Sequence, residues 1–170
     1  MGEGTGMTTL TDLSWVDDLI RSELDVRPIY SKRRSLKAFE KAALIRSDEG
    51  KPLAYAEVVN HLKGVEITTV LVDRGQRGQG YGKALMKEVI SKIDNDLIFL
   101  HTKSPALVSI IQKIGFKKKS IPSFISGISI LLRLPRRSLT MIFRGDFKRL
   151  WLQTKTLSKY DCYVLEVKRD

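Results

Sequence analysis

The chain has 170 residues, 42% of them hydrophobic and 29% charged, with a formal net charge of +11 and one cysteine. That length suffices for a single domain, residues 1–170, that buries about two-thirds of its unfolded surface without a disulfide or metal staple. One cysteine excludes an internal disulfide and points to a reducing compartment, the cytoplasm. No stretch approaches the ~20 apolar residues of a membrane span, and the opening MGEGTGMTTL lacks the apolar core of a signal peptide.

In chain order, residues 8–24 are expected to turn helical in their second half. Ser14 would be the N-cap, Asp17 and Asp18 would lie in the first turn, and Trp15, Ile20 and Leu24 would share a face. A basic stretch follows, with a second short helix near 35–39. Residues 42–47 and 52–59 read as strands around the turn Asp48-Glu49-Gly50-Lys51, and 60–64 as a second turn. Residues 66–72 form the third strand of this meander.

That strand runs into VLVDRGQRGQGYGKALM, residues 70–86. Gly75, Gly78, Gly80 and Gly82 alternate there with Arg74, Gln76, Arg77 and Gln79, and Ala84, Leu85, Met86, Val89, Ile90 and Ile93 then recur at helical spacing. Glycines crowded at a helix start let backbone approach a ligand closely, and unsatisfied amides, the helix dipole and two arginines all favour an anion such as phosphate. A Walker-A loop is excluded, because Arg77 and Ala84 stand where it needs glycine and a hydroxyl. The dinucleotide pattern G-x-G-x-x-G fails as well, at Lys83 or Leu85.

After Asp94-Asn95-Asp96 breaks the helix, 97–100 is an apolar run fit for a buried strand. Pro105 then opens a helix carrying Ala106, Leu107, Ile110, Ile111 and Ile114 up to Gly115-Phe116. A meander followed by strand, helix, strand and helix is an α/β arrangement with a mixed sheet.

The run Arg77-Gly78-Gln79-Gly80-Tyr81-Gly82, between apolar strand and amphipathic helix, resembles the pyrophosphate loop of the GCN5-related N-acetyltransferases, the GNAT superfamily. Lys113-Ile114-Gly115-Phe116 is similar to the K-L-G-F closing that family's next-to-last core helix. The resemblance covers roughly 40–116, with a further strand near 160–167. It implies a mixed, mostly antiparallel sheet flanked by helices, acetyl-CoA as co-substrate, and direct acetyl transfer to a primary amine on a small molecule or protein; two histidines and one cysteine without ligand spacing imply no metal. It also implies a chain that often dimerises. The backbone of Val70, Leu71 and Val72 would hold the pantetheine arm, and Arg77, Gly78, Gln79, Gly80, Tyr81, Gly82 and Lys83 the pyrophosphate. Ser104 takes the place of an asparagine that often touches CoA. Glu66, eleven residues before Arg77, matches the general base of the protein-lysine branch, and burial at the strand split is expected to raise its pKa. His101 falls where some members place a catalytic histidine, with His61 a weaker candidate and Glu57 unassigned. Ile111 replaces the tyrosine that commonly protonates the leaving thiolate, which leaves Tyr160 or Tyr163 as other donors.

The C-terminal third departs from the family. Residues 117–150 hold nine basic residues against one acid, Asp146, which is +8 of the net +11. Periodicity between 124 and 134 fits helix and strand equally. This basic extension could be solvated rim, a cover over the acceptor site, or a surface for nucleic acid or anionic membrane. Two rivals therefore stand beside the enzyme: a non-catalytic acyl-CoA sensor, and a polyanion-binding adaptor built on 117–150.

Overall fold

The computed structural model describes residues 10–23, 26, 32–119, 142, 145–156 and 159–167. Their elements run α1 (Leu10–Ser22), α2 (Lys32–Phe39), β1 (Ala43–Arg46), β2 (Pro52–His61), β3 (Gly64–Val72), α3 (Tyr81–Ser91), β4 (Leu97–Thr102), α4 (Pro105–Ile114), β5 (Lys117–Lys118), α5 (Phe147–Thr156) and β6 (Asp161–Glu166). The six strands hydrogen-bond in the order β1-β2-β3-β4-β6-β5. β3 and β4 are parallel, whereas β1/β2, β4/β6 and β5/β6 are antiparallel. This is the mixed, mostly antiparallel sheet the sequence predicts. The basic segment from Ser120 to Met141 lies outside the described residues.

The chain forms two compact units, Met1–Val58 with Thr69–Val89, and Val59–Thr68 with Ile90–Asp170. In the first, Val16, Leu19 and Ile20 of α1 pack with Phe39, Tyr55 and Leu71 as one buried cluster. The helix starts earlier than expected; Ile20 and the partly buried Trp15 of the expected face join this cluster, and Leu24 lies outside the described residues. Ser14 is not the N-cap; it lies inside the helix, where its Oγ donates to the Thr11 carbonyl at 2.9 Å. Asp12, 2% exposed, would be costly as a lone buried charge, and Arg46 meets it with two bonds of 2.9 and 2.6 Å. Glu57 is buried and satisfied, accepting from Tyr55 Oη at 2.8 Å and Thr69 Oγ1 at 3.1 Å. That arrangement gives the unassigned Glu57 a structural place.

In the second unit, the β2–β3 turn is tighter than the sequence suggests, with only Leu62 and Lys63 between strands. Gly64 lets the start of β3 lie close against β4: a Cβ there would stand 2.7 Å from the Leu97 carbonyl oxygen. β3 pairs with β4 through Val65↔Ile98, Glu66↔Phe99 and Ile67↔Leu100, and no pair beyond Ile67 is formed among the described residues. Along β4, Ile98, Leu100 and Thr102 are buried, while Phe99 and His101 are half-buried on the other face. β4 then pairs with β6 on its far side, His101 opposite Cys162. Helix α4 is well specified. Ser104 caps its start, with Oγ accepting from the Leu107 N–H at 3.4 Å, and Pro105 follows. Gly115 closes it in the left-handed conformation, with Phe116 returning a bond to the Ile111 carbonyl at 3.0 Å.

Candidate active site

The glycine loop belongs to the first unit. β3 ends at Val72 with Leu71 turned into the core and Val70 and Val72 half-buried on the opposite face. Asp73 begins the turn: its Oδ1 accepts from the Gly75 N–H at 2.9 Å, over one 3₁₀ turn at Arg74–Gln76. Trp15 Nε1 donates to the other oxygen of Asp73 at 3.4 Å. Gly78 and Gly80 then adopt φ of +84° and +89°, left-handed backbone that an L side chain resists by about 1–2 kcal/mol per residue. A Cβ at either glycine would meet no atom within 4 Å. The left-handed turns thus border open space rather than packed protein.

Helix α3 opens on this loop. Lys83 and Ala84 both donate to the Gly80 carbonyl, at 3.0 and 3.1 Å, so the helical ladder begins there. The N–H groups just before it are the orphan donors of a helix N-terminus. Leu85, Met86 and Val89 anchor α3 in the core, whereas Ala84 is exposed rather than part of the apolar face. The loop's arginines are held by a residue the sequence does not single out. Glu23, just past α1, accepts from Arg77 Nη2 at 2.7 Å and Arg74 Nε at 3.3 Å, while Arg74 Nη2 bonds the Ser22 carbonyl at 3.0 Å. Partial burial acts to raise the Glu23 pKa, but Arg77 and Arg74 outweigh it and hold the carboxylate below its usual range.

The candidate catalytic groups belong to the second unit, and three of them converge. Glu66 Oε2 lies 2.9 Å from His61 Nε2, and Glu66 Oε1 lies 3.1 Å from His101 Nδ1. Phe99 stands between the imidazoles, its centroid 5.4 Å from His61 and 6.0 Å from His101. Alternation explains the assembly: β3 and β4 run parallel with Glu66 beside Phe99, and the two-residue turn brings the end of β2 back alongside.

The charge state differs from the expectation. Burial does act to raise the Glu66 pKa, but His101 and then His61 outweigh it, and the net shift is downward. His101 moves up to about 9, raised by Cys162 across the β4–β6 pair and by Glu66, against the opposing effect of burial. His101 is therefore the cationic partner of a carboxylate at neutral pH. The Nε2 of His101 and the Oγ1 of Thr68, each two residues past the Glu66–Phe99 pair on its strand, are buried without a conventional hydrogen-bond partner.

Ser104 is the cap of α4, which supplies a structural reason for a hydroxyl there. Ile111, where the resemblance leads one to expect tyrosine, is fully buried and part of the core. Tyr163 is buried in β6, and Tyr160 packs its ring under Lys103 Nζ at 5.4 Å. A depression of about 550 Å³ lined by Lys63 and residues 94–97 includes none of these groups.

The acetyltransferase (GNAT) family model matches residues 9–116. The chain belongs to this family of acetyltransferases. No curated protein matches the sequence significantly. Among solved structures, it is similar to N-acetylglutamate synthase from Neisseria gonorrhoeae complexed with coenzyme A and N-acetyl-glutamate, at 17% identity and a TM-score of 0.64. That match covers 95% of this chain and 34% of the synthase, so the chain spans about a third of the synthase's length. Rv2747 from Mycobacterium tuberculosis, solved with CoA, is similar over 95% of this chain and 97% of its own, at 14% identity and a TM-score of 0.65. A phosphinothricin acetyltransferase from Sinorhizobium meliloti in complex with AcCoA matches 66% of this chain and 74% of its own, at 15% identity and a TM-score of 0.57. At these identities the likeness establishes the fold.

Proposed function

We propose that the protein is an N-acetyltransferase moving the acetyl group of acetyl-CoA directly to a primary amine on a small molecule or protein. The observation that carries this reading is the loop at Gly78 and Gly80, left-handed, facing open space and feeding the start of α3. Acetyl-CoA fits it: the amides of Arg77 to Lys83 would hold the pyrophosphate, with charge from Arg77. The backbone of Val70, Leu71 and Val72 would hold the pantetheine arm. Bound there, acetyl-CoA supplies an activated thioester. The free, buried Cys162 supports a reducing compartment, the cytoplasm.

The residues of the second unit would prepare the amine, which arrives as an ammonium and must lose a proton before it attacks. Ionised Glu66 attracts that cation. A carboxylate with a lowered pKa and both oxygens occupied is, however, a poor final holder of the proton. His101, protonated at neutral pH, has no capacity to take it. His61 engages Glu66 through Nε2, and in the tautomer that donates to the carboxylate its Nδ1 is left as an acceptor. In this reading His61 takes the proton, Glu66 orients it and stabilises the imidazolium, and His101 holds Glu66 ionised.

The test is calorimetric titration of acetyl-CoA into wild type and Gly80→Glu in moderate salt, followed by an acceptor-amine screen read by release of free CoA thiol. Binding abolished by the substitution, with thiol release that depends on an amine, supports the proposal. A folded wild type that does not bind acetyl-CoA overturns it. The buried Ile111 favours one alternative, an acyl-CoA-binding protein without turnover. That alternative requires binding with no amine-dependent thiol release above the Glu66→Gln background.

A further inference from the structure

Among the described residues the exposed large apolar side chains are Leu36, Leu62, Ile142, Phe147 and Trp151. Leu62 stands at a hairpin tip and Leu36 on α2, each a single exposed residue of an ordinary kind. Phe147 and Trp151 form a pattern. In α5 the residues Phe147, Lys148, Trp151, Thr154 and Lys155 fall at i, i+1, i+4, i+7 and i+8, which is one helical face, and all five are exposed. Phe147 is 61% exposed and Trp151 63%, while Leu150 and Leu152 are half-buried. The Lys155 ammonium lies 4.7 Å from the centre of the Trp151 ring. Two aromatic rings one turn apart, interleaved with lysines, are held in water.

Charge selects the occupant of this face. Lys148 and Lys155 share the face with the two rings, and Phe147–Thr156 contains no acidic residue, so the partner is anionic. A second copy of the chain would oppose Lys148 and Lys155 to themselves across a two-fold axis. A nucleic acid would satisfy the lysines but leave two rings on a convex helix with no reason to share that face. An anionic bilayer surface suits both, since aromatic rings settle at the headgroup level and lysines reach lipid phosphates and carboxylates. We propose that the Phe147–Trp151–Lys155 face of α5 docks the protein on anionic membrane surfaces, lying along the interface without crossing it.

The test is co-sedimentation of the full chain with vesicles of phosphatidylcholine alone and of phosphatidylcholine mixed with phosphatidylserine. Wild type should pellet with the mixed vesicles and stay in solution with the neutral ones. The double variants Phe147→Ser/Trp151→Ser and Lys148→Glu/Lys155→Glu should each weaken binding by about tenfold or more. All four positions are exposed, so both variants should keep the wild-type melting temperature, and an unchanged melt makes the binding loss interpretable. Failure of wild type to bind mixed vesicles overturns the proposal. So does full binding by the serine variant, which reduces the effect to general attraction by a polycation. Tighter binding to single-stranded RNA that responds to the same substitutions, or a dimer abolished by Trp151→Ser, overturns it too.

Discussion

Two carboxylates in this protein are each held between two basic side chains, and they behave differently. Glu23, in the first unit, lies between Arg74 and Arg77; Glu66, in the second, lies between His61 and His101. In both, burial acts to raise the carboxylate pKa and the basic neighbours win. The Glu23 partners are 61% and 50% exposed and permanently charged. That pairing is screened by solvent, indifferent to pH near neutrality, and readily given up to a better anion. The Glu66 partners are imidazoles, only 12% and 18% exposed, whose ring nitrogens can either donate or accept. One arrangement suits exchange of a ligand, the other suits exchange of a proton.

The largest expected effect lies in the first unit. Gly80→Glu should weaken acetyl-CoA binding by more than about a hundredfold in calorimetry, because a side chain and a like charge would fill the anion's space. The stability loss should stay near the ~1–2 kcal/mol of a left-handed residue, so a melt curve separates lost binding from lost fold. Retained binding would break the distinction between a ligand-exchanging loop and a proton-exchanging cluster.

Next in size, Glu66→Gln, which removes the group that orients His61 rather than the base itself, should lower kcat/KM by about 10- to 100-fold while acetyl-CoA affinity is unchanged. His61→Asn should lower kcat/KM at least as much as Glu66→Gln, whereas His101→Asn should lower it less. Activity that survives His61→Asn undiminished would return the base role to Glu66 or water.

The third prediction concerns stability. The folded pKa of His101, about 9, lies above the 6.5 of a free imidazole. Its protonated form therefore stabilises the fold fully below about pH 6.5, and that contribution is lost as pH rises through about 9. It amounts to at most about 3 kcal/mol, arises first from Cys162 and then from Glu66, and its Glu66 share is counted once with the lowered pKa of that carboxylate. Urea denaturation between pH 6 and 10 should show this decline in wild type and a flatter curve in His101→Asn. Parallel curves would refute the ion pair.

The smallest effect should come from Glu23→Gln. Freeing two arginines beside the anion site should tighten acetyl-CoA binding by up to about fivefold, with a steeper dependence on salt. Weaker binding would mean that Glu23 pre-organises the arginines instead of competing for them.

The loop was readable in the sequence because its signal is local. Only glycine tolerates the backbone of positions 78 and 80, and strand and helix periodicities flank it directly. The meander, β4 and α4 were readable for the same reason, each bounded by its own turn or cap residues. The start of α1 was not, because Ser14 has the chemistry of a cap and is used inside the helix instead. The direction of the Glu66 shift was hidden too, since it depends on partners 5 and 35 residues away arriving at both oxygens. Burial alone gives the opposite sign. Glu23 meets the loop across 51 and 54 residues and leaves no trace in local pattern. In the basic third, an apolar run that fits both periods offered nothing to decide between them.

The bond from Trp15 to Asp73 gives the molecule an optical readout. Asp73 is the residue on which the loop's first turn is built, and the Trp15 indole donates directly to its carboxylate. Rearrangement of that turn alters the polarity around the indole, and with it the wavelength and yield of its emission. The chain has two tryptophans, and the other, Trp151, stands on α5. In a Trp151→Phe background the remaining fluorescence would follow loop filling in real time, without a label, on the protein's own chromophore.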